Sequence, residues 1–402
     1  MTKKYRFLYI LILPFLIGFL YSFLVTWGYW KTFRDGLSEV SLFFYPLSFF
    51  ITFFITLTIH ELGHLITFVI QGVKIRALYL HMLIFIKTDK GWTIKFKPKL
   101  WALMGGFVIP DLGEMKDDES YQKNLVAFRK SLIVAPYVTI AFLILTVLIF
   151  LLSIILGWPS LIIGLYSPFT LFTIILSFFY IKSFKLSNSW FYGDFVAYKK
   201  MQEDEIFQLV QLSQYRMFSL TESKQTDDYL FQLVVKVILE KELKSTMFHQ
   251  LLILNYIEAV CYNAHEDHLG VREKLLHYPF SPHYHSEQGV MLLYDLAVYY
   301  YHLGFVEKSY HLLEQIKKRA SSKIDEKSLL YLRKKHEHIL HISYDEPFLN
   351  QKEHIRVRNS SLYEDLVDFE KMMKEMHDPL PFQIWETKVD LIKEEDNKQK
   401  SD

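Results

Sequence analysis

Residues 42–70 form a hydrophobic run that also contains two histidines and a glutamate. The run exceeds the roughly 20 apolar residues that a helix needs to cross the hydrocarbon core of a bilayer. On a helix, His60 and His64 lie on one face, one turn apart, and Glu61 follows the first of them. Ionisable groups at membrane depth are costly, so they indicate function. The H-E-x-x-H pattern therefore predicts two imidazole ligands for a metal ion and a carboxylate base.

The two halves of the chain differ in composition. The chain has 402 residues, and its apolar residues concentrate in the first half and its charged residues in the second. We expect a membrane-embedded unit at residues 1–200, a cytoplasmic helical unit at 201–380 and a partly disordered tail at 381–402. The net charge of +1 gives no indication of nucleic-acid binding. The single cysteine, Cys261, excludes an internal disulfide and a cysteine-rich zinc site, so zinc would need His, Asp or Glu ligands.

Four hydrophobic runs predict four membrane spans, at residues 7–25, 42–70, 132–156 and 161–181. Lysines and arginines concentrate in the loop between the second and third runs and again after the fourth. The positive-inside rule places this loop and both termini in the cytoplasm. The expected fold is therefore mainly α, a multi-pass helix bundle joined to an all-α cytoplasmic unit. We expect the bundle to lie in a bacterial plasma membrane.

The loop between the second and third runs carries strand signals. Residues 77–86 are apolar and strand-like, residues 88–91 form a turn signal and residues 92–96 alternate, so we expect a β-hairpin or re-entrant loop. Further along, Gly105 and Gly106 permit close backbone approach within the apolar stretch 103–110. This stretch is either a packing turn or a partner for a substrate unfolded into a strand, and the residues favour neither interpretation.

A catalytic zinc ion usually has three protein ligands, so a third is needed. The acidic residues between 111 and 119 lie in a polar stretch, where we expect them to be solvated. Asp194 lies instead in the aromatic stretch 190–198, directly after the fourth run and on the same predicted side as His60 and His64. It could be a helix N-cap or an ordinary interfacial charge, but we predict that it is the third ligand.

Over residues 42–200 the order of these segments resembles the site-2 protease family of intramembrane zinc metallopeptidases. The H-E-x-x-H motif lies in a hydrophobic run, as in that family. Residues 105–108, G-G-F-V, look like its G-G-Y-V segment, and residues 134–139 are similar to its A-G-P-x-x-N segment. Gly193 and Asp194 fall where the family places the aspartate of its L-D-G motif, which is its third zinc ligand. The first motif alone is highly specific; the others depend on order and spacing.

This resemblance implies hydrolysis of peptide bonds in or beside the lipid bilayer, with a membrane protein or peptide as the substrate. It implies Zn²⁺ held by His60, His64 and Asp194. Glu61 is then the general base that takes a proton from water and delivers it to the leaving amine. The implied substrate-binding residues are Gly105, Gly106, Pro136 and Thr139.

Three positions depart from the family pattern, which makes the chain a divergent member. Ala135 replaces a glycine, Thr139 stands where the family has asparagine, and Phe195 replaces the glycine after the aspartate. These departures leave open a second function, that of a catalytically weakened, membrane-anchored scaffold that binds partner proteins. A zinc enzyme that hydrolyses a non-peptide bond is a third possibility.

The second half reads as amphipathic helices. Residues 294–313 resemble one tetratricopeptide repeat, residues 254–276 are a weaker candidate, and an irregular helical bundle is the alternative. A repeat domain usually binds proteins or peptides, so we expect a cytoplasmic protein or peptide partner. The histidines between His265 and His285 match no zinc spacing, and we expect most of them in a solvated loop.

Overall fold

The computed structural model describes residues 25–98, 100, 105–188, 192–220, 223–262, 265–343 and 346–349, and four short pieces at 14–15, 18–19, 21–22 and 365–366. The predicted first span, at residues 7–25, lies mostly outside the described residues. The predicted tail at 381–402 lies entirely outside them.

Three long helices are apolar enough to cross a membrane. A short helix, α1 (Tyr29–Glu39), precedes them; they are α2 (Phe44–Ile70), α3 (Asp118–Ile155) and α4 (Ser160–Ser183). They confirm the predicted spans at 42–70, 132–156 and 161–181. The helix α3 begins well before its apolar run because Asp117 caps it, with the Ser120 N–H donating to the Asp117 carboxylate at 2.9 Å.

The long helices bury small and polar side chains and expose large apolar ones. On α2, Thr52 and Thr56 are buried, whereas Ile66 is about half exposed. This distribution suits a lipid environment, in which apolar side chains are solvated and small residues let helices approach closely. The helices α2 and α3 pack closely at Gly63, where an added Cβ atom would lie 2.8 Å from the Ala135 Cα.

Between α2 and α3 the chain forms a four-stranded antiparallel sheet in the order β3-β2-β1-β4. The predicted turn at residues 88–91 is confirmed, since Thr88 pairs with Gly91. The prediction of one strand over 77–86 was wrong: the chain reverses at His81, where φ is 55°, a left-handed conformation. The strands are β1 (Lys74–Leu80), β2 (Leu83–Thr88), β3 (Gly91–Phe96) and β4 (Gly106–Asp111).

The sheet lies against α2. The Nε2 atom of His81, at the β1–β2 turn, is 3.4 Å from the Phe54 carbonyl oxygen, about 9 Å of helix rise before His60. This end of the sheet is therefore at the depth of a membrane helix. Residues 106–111 form the edge strand β4 rather than a packing turn, and pair only with β1 among the described strands.

Beyond α4 the described chain is almost entirely helical, as predicted. Ser309 donates a hydrogen bond to the Ala297 carbonyl oxygen at 2.7 Å, which joins two helices at positions that suggested a tetratricopeptide repeat. The repeat assignment itself stays a prediction. The helices are α5 (Asp194–Glu203), α6 (Glu205–Arg216), α7 (Lys224–Glu240), α8 (Met247–Cys261), α9 (Leu269–Leu276), α10 (Glu287–His302), α11 (Val306–Arg319), α12 (Glu326–Ile339) and α13 (Glu346–Leu349), with a 3₁₀ turn at Ser281–His285.

One buried apolar cluster joins the two halves of the chain. It begins at Phe68 near the end of α2, includes Val108 of β4 and Phe207 of α6, and continues to Leu340 after α12. The helices after α4 therefore pack on the membrane unit rather than standing apart from it. The division at residues 200 and 201 stays a prediction.

Candidate metal centre

The loop between α4 and α5 turns back sharply and brings Asp194 to the two histidines of α2. Gly193 N–H donates to the Leu186 carbonyl oxygen at 2.9 Å. A Cβ atom on Gly193 would lie 2.7 Å from the Phe184 carbonyl oxygen, so the loop can pass this closely only with glycine. Asp194 is the first residue of α5 as a result.

The ligand atoms of His60, His64 and Asp194 converge. Asp194 Oδ2 lies 3.2 Å from His60 Nε2 and 3.8 Å from His64 Nε2. In a tetrahedral zinc site with bonds of about 2.1 Å, neighbouring ligand atoms are about 3.4 Å apart. Two imidazole nitrogens and a carboxylate oxygen are donors that zinc accepts. Among the described residues, this is the one group of three His, Cys, Asp or Glu side chains that could hold a metal ion.

Two buried hydroxyl groups of α3 orient the imidazole rings. His60 Nδ1 is 3.0 Å from Thr139 Oγ1, and His64 Nδ1 is 2.9 Å from Ser131 Oγ. Because the Thr139 hydroxyl donates to the Ala135 carbonyl oxygen at 3.2 Å, it accepts the proton on Nδ1 of His60. Each Nδ1 is thus engaged away from the site, and each Nε2 is left facing Asp194. This is the arrangement that metal-binding histidines usually have.

Glu61 is buried beside the edge strand β4. Only 4% of its surface is exposed. A Cβ atom on Gly106 would lie 2.7 Å from Glu61 Cγ and 2.7 Å from the Tyr79 carbonyl oxygen of β1. The strand can therefore pass next to Glu61 only if it has no side chain at residue 106.

The motif opens into a cavity of about 700 Å³. Glu61, both histidines and Asp194 line it on the membrane side. The ring of Tyr192 stacks on that of Phe248, with centroids 5.5 Å apart, and so joins the two halves of the wall. The helical unit supplies the remaining side, through Phe207, Gln211, Gln214, Tyr215, Met247 and Phe248.

The structure brings most of the predicted site residues to this cavity. Those that line it are His60, Glu61, His64, Asp194, Gly105 and Gly106. Pro136 and Thr139 are instead buried within α3 and are not among the lining residues. Their expected contact with substrate stays a prediction, and the contact of Thr139 that the structure shows is with His60.

The three departures from the family pattern have local packing partners. Ala135 is fully buried and faces Gly63, where a larger side chain would separate α2 from α3. Thr139 holds His60. The ring of Phe195 packs against that of Phe184, with centroids 5.8 Å apart. Each departure is thus accommodated without displacing the residues that converge.

Sequence reasoning missed several lining residues. Ser131 could have been found, because Ser131, Ala135 and Thr139 recur every four residues on one face of α3. Tyr180 and the glutamines Gln211 and Gln214 carried no comparable signal, since they are far from the motif in sequence.

A model of peptidase family M50 matches residues 48–332, from α2 to α12, which is more than half of the chain. The matched region includes the histidine motif, the sheet, Asp194 and most of the helical unit. No curated protein and no solved structure matches the chain.

Proposed function

The chain belongs to peptidase family M50, so it is a membrane metallopeptidase, and from this premise we propose that it is a zinc endopeptidase that cleaves peptide bonds within or beside the membrane. The resemblance to site-2 proteases is confirmed by the same match. The observation that carries the finer proposal is the convergence of His60, His64 and Asp194 beside Glu61 in one cavity.

Each residue of the site has a part in the proposed reaction. When bound by His60, His64 and Asp194, Zn²⁺ supplies Lewis acidity to polarise the scissile carbonyl group and activate water. Glu61 takes a proton from the attacking water and passes it to the leaving amine. Thr139 and Ser131 hold the two imidazole rings, so that the ligands are set before substrate arrives.

The proposed substrate is an extended stretch of a membrane protein or membrane-associated peptide. Three observations support this class. Residues 105–108 line the cavity, and β4 is an edge strand of the described sheet, where an extended chain can add by backbone pairing. Three helices are long and apolar enough to cross a membrane. A transmembrane helix would need to unwind locally before pairing, since a peptide bond inside a helix is shielded by its own hydrogen bonds.

We propose that the helical unit selects the substrate. Its support is that α6 and α8 form part of the wall of the cavity that contains the ligands. Phe207 and Phe248 of this wall contact each other, with ring centroids 4.7 Å apart. A cytoplasmic protein or peptide that binds the helical unit would influence substrate selection through α6 and α8, which form this part of the cavity wall. The basic loops favour a cytoplasmic position for the helical unit. We propose that the membrane itself is a bacterial plasma membrane.

Comparing membrane peptides from cells with the wild type and with Glu61→Gln tests the proposal. Glu61→Gln keeps the shape of the side chain but removes the base, so an uncut membrane fragment should accumulate only in the variant. Zinc content should stay near one ion per chain in both. If the two peptide profiles are identical, proteolysis is refuted; if the purified wild type also lacks stoichiometric zinc, the scaffold function is favoured.

A further inference from the structure

Tyr180 has a buried hydroxyl group for which the structure records no partner. Tyr180 lies near the end of α4 and lines the cavity together with His60 and Glu61. Its hydroxyl oxygen is inaccessible to solvent and has no hydrogen-bond partner among the described residues. A buried polar group without a partner costs free energy. A hydroxyl group in this state beside a cavity can recover that free energy by forming a hydrogen bond with a bound ligand.

The position of the Tyr180 ring is fixed by its neighbours. It lies almost parallel to the His60 ring, at 11° and a centroid distance of 6.4 Å. The ring of Phe184 is nearly parallel to both, 5.0 Å from His60 and 6.4 Å from Tyr180. Glu61 lines the same cavity. The hydroxyl therefore belongs to the same wall as the first histidine and the proposed base.

Four other polar side chains in this cavity have partners. Ser131 contacts His64, and Ser183 donates to the Tyr180 carbonyl oxygen at 2.8 Å. The amides of Gln211 and Gln214 bond to each other at 2.8 Å and lie on the helical unit. Tyr180 thus provides an O–H donor on the side of the cavity that is lined by His60 and Glu61.

We propose that the Tyr180 hydroxyl donates a hydrogen bond to the oxygen of the scissile carbonyl group as that oxygen gains negative charge. The inference rests on the proposed endopeptidase function and makes Tyr180 a catalytic residue. A donor that is fixed in place and shielded from water stabilises a developing charge strongly, because it does not have to reorient during the reaction. Tyr180 keeps its proton throughout. The bond from the water oxygen to the carbonyl carbon forms, the carbon–nitrogen bond breaks, and Glu61 transfers the proton to the leaving nitrogen.

The test is Tyr180→Phe in the full-length, zinc-loaded protein, measured with the membrane fragment that accumulates in Glu61→Gln cells. We expect kcat to fall about 100-fold, the usual effect of losing one such donor, with KM changed less than threefold. Zinc content should not change. Tyr166→Phe is the matched control, since it removes a hydroxyl from the same helix at a residue that does not line the cavity, and its kcat should equal that of the wild type.

A binding measurement gives a second readout that does not depend on turnover. A phosphinic peptide has a tetrahedral phosphorus atom with negatively charged oxygens where the scissile carbonyl group would be, whereas a simple hydroxamate binds mainly through the metal. Tyr180→Phe should weaken binding of the phosphinic peptide at least tenfold more than it weakens binding of the hydroxamate. This ratio is independent of the fraction of folded protein.

The outcomes separate the two proposals. If the wild type cleaves no peptide bond, the endopeptidase function fails. If the wild type cleaves but Tyr180→Phe has the same kcat and the same ratio of affinities, the role of Tyr180 is overturned. A loss of kcat that Tyr166→Phe shares would also overturn it, because the effect would then come from weakened packing of α4.

Discussion

At the scale of single residues, two hydroxyl groups determine what the histidines can do. An imidazole at this depth could present either nitrogen to a metal ion. Thr139 and Ser131 engage the two Nδ1 atoms and leave both Nε2 atoms facing Asp194. Neither hydroxyl is a ligand, yet each holds a ring in place, and Thr139 also fixes the tautomer of His60.

The first prediction concerns this pair of hydroxyls. Thr139→Val and Ser131→Ala should each weaken zinc binding about 10- to 100-fold, since the free ring loses both its orientation and a partner for Nδ1. Competition with a chromophoric chelator measures the change. Thr139→Ser keeps a hydroxyl and should bind zinc as the wild type does. Equal zinc affinity for Thr139→Val and Thr139→Ser would contradict the prediction.

At the scale of elements, the helical unit contains polar groups that are as deeply buried as those of the metal centre. His283 lies in the 3₁₀ turn before α10, is fully buried and accepts a hydrogen bond from Gln250 at 3.0 Å. The expectation that this histidine belongs to a solvated loop was wrong. Burial lowers the pKa of His283 to about 4, because the charged imidazolium has lost its solvation.

The second prediction follows from that pKa. In the unfolded chain His283 titrates near 6.5, so between about pH 6.5 and 4 the unfolded state binds more protons than the folded state. The free energy of unfolding should fall as the pH drops through this window, by up to about 1.4 kcal/mol per pH unit from this group. Urea unfolding in detergent at pH 7, 6 and 5 measures it.

The control removes the titrating group. His283→Gln should lose this part of the pH dependence, whereas His277→Gln, at an exposed histidine of the same region, should keep it. The difference between each variant and the wild type cancels the contribution of the metal centre. If both variants retain the full slope, His283 is not its source.

At the scale of the whole molecule, the cavity is shared. The helical unit and the membrane unit have one continuous core, and residues of both surround the proposed zinc ligands. Side chains that lie more than a hundred residues after the histidine motif therefore line the same cavity as the motif. This is the physical basis for assigning substrate selection to α6 and α8.

The third prediction tests this shared wall. Gln214→Leu removes an amide from the cavity and should raise KM about tenfold, the effect of one hydrogen bond of about 1.4 kcal/mol, with zinc content unchanged. Gln232→Leu makes the same change at an exposed position of α7 and should leave KM as it is. Steady-state cleavage of the fragment identified with Glu61→Gln measures both. Identical KM values for Gln214→Leu and the wild type would remove the helical unit from substrate selection.

Local features could be predicted from the chain because they depend on neighbouring residues. The three described spans follow from runs of apolar residues, and the β2–β3 turn follows from the signal at residues 88–91. The break at His81 could not be predicted, because only pairing with β2 and contact with α2 make a left-handed histidine favourable there. The burial of Pro136 and Thr139 within α3 carried no local signal, and the substrate contacts expected of them from the family pattern stay a prediction.

The sequence by itself determined that His60, Glu61 and His64 share a helix inside a membrane span, because a four-residue spacing and a hydrophobic run suffice for that. It also singled out Asp194 by its position along the chain. Only the tertiary structure decided which atoms meet. Ser131 and Thr139 reach the histidines across 67 and 79 residues, and Tyr180 and Gln214 enter the cavity from helices with no local relation to the motif. Contacts over such separations depend on how helices pack, and helix packing reflects all their buried faces at once.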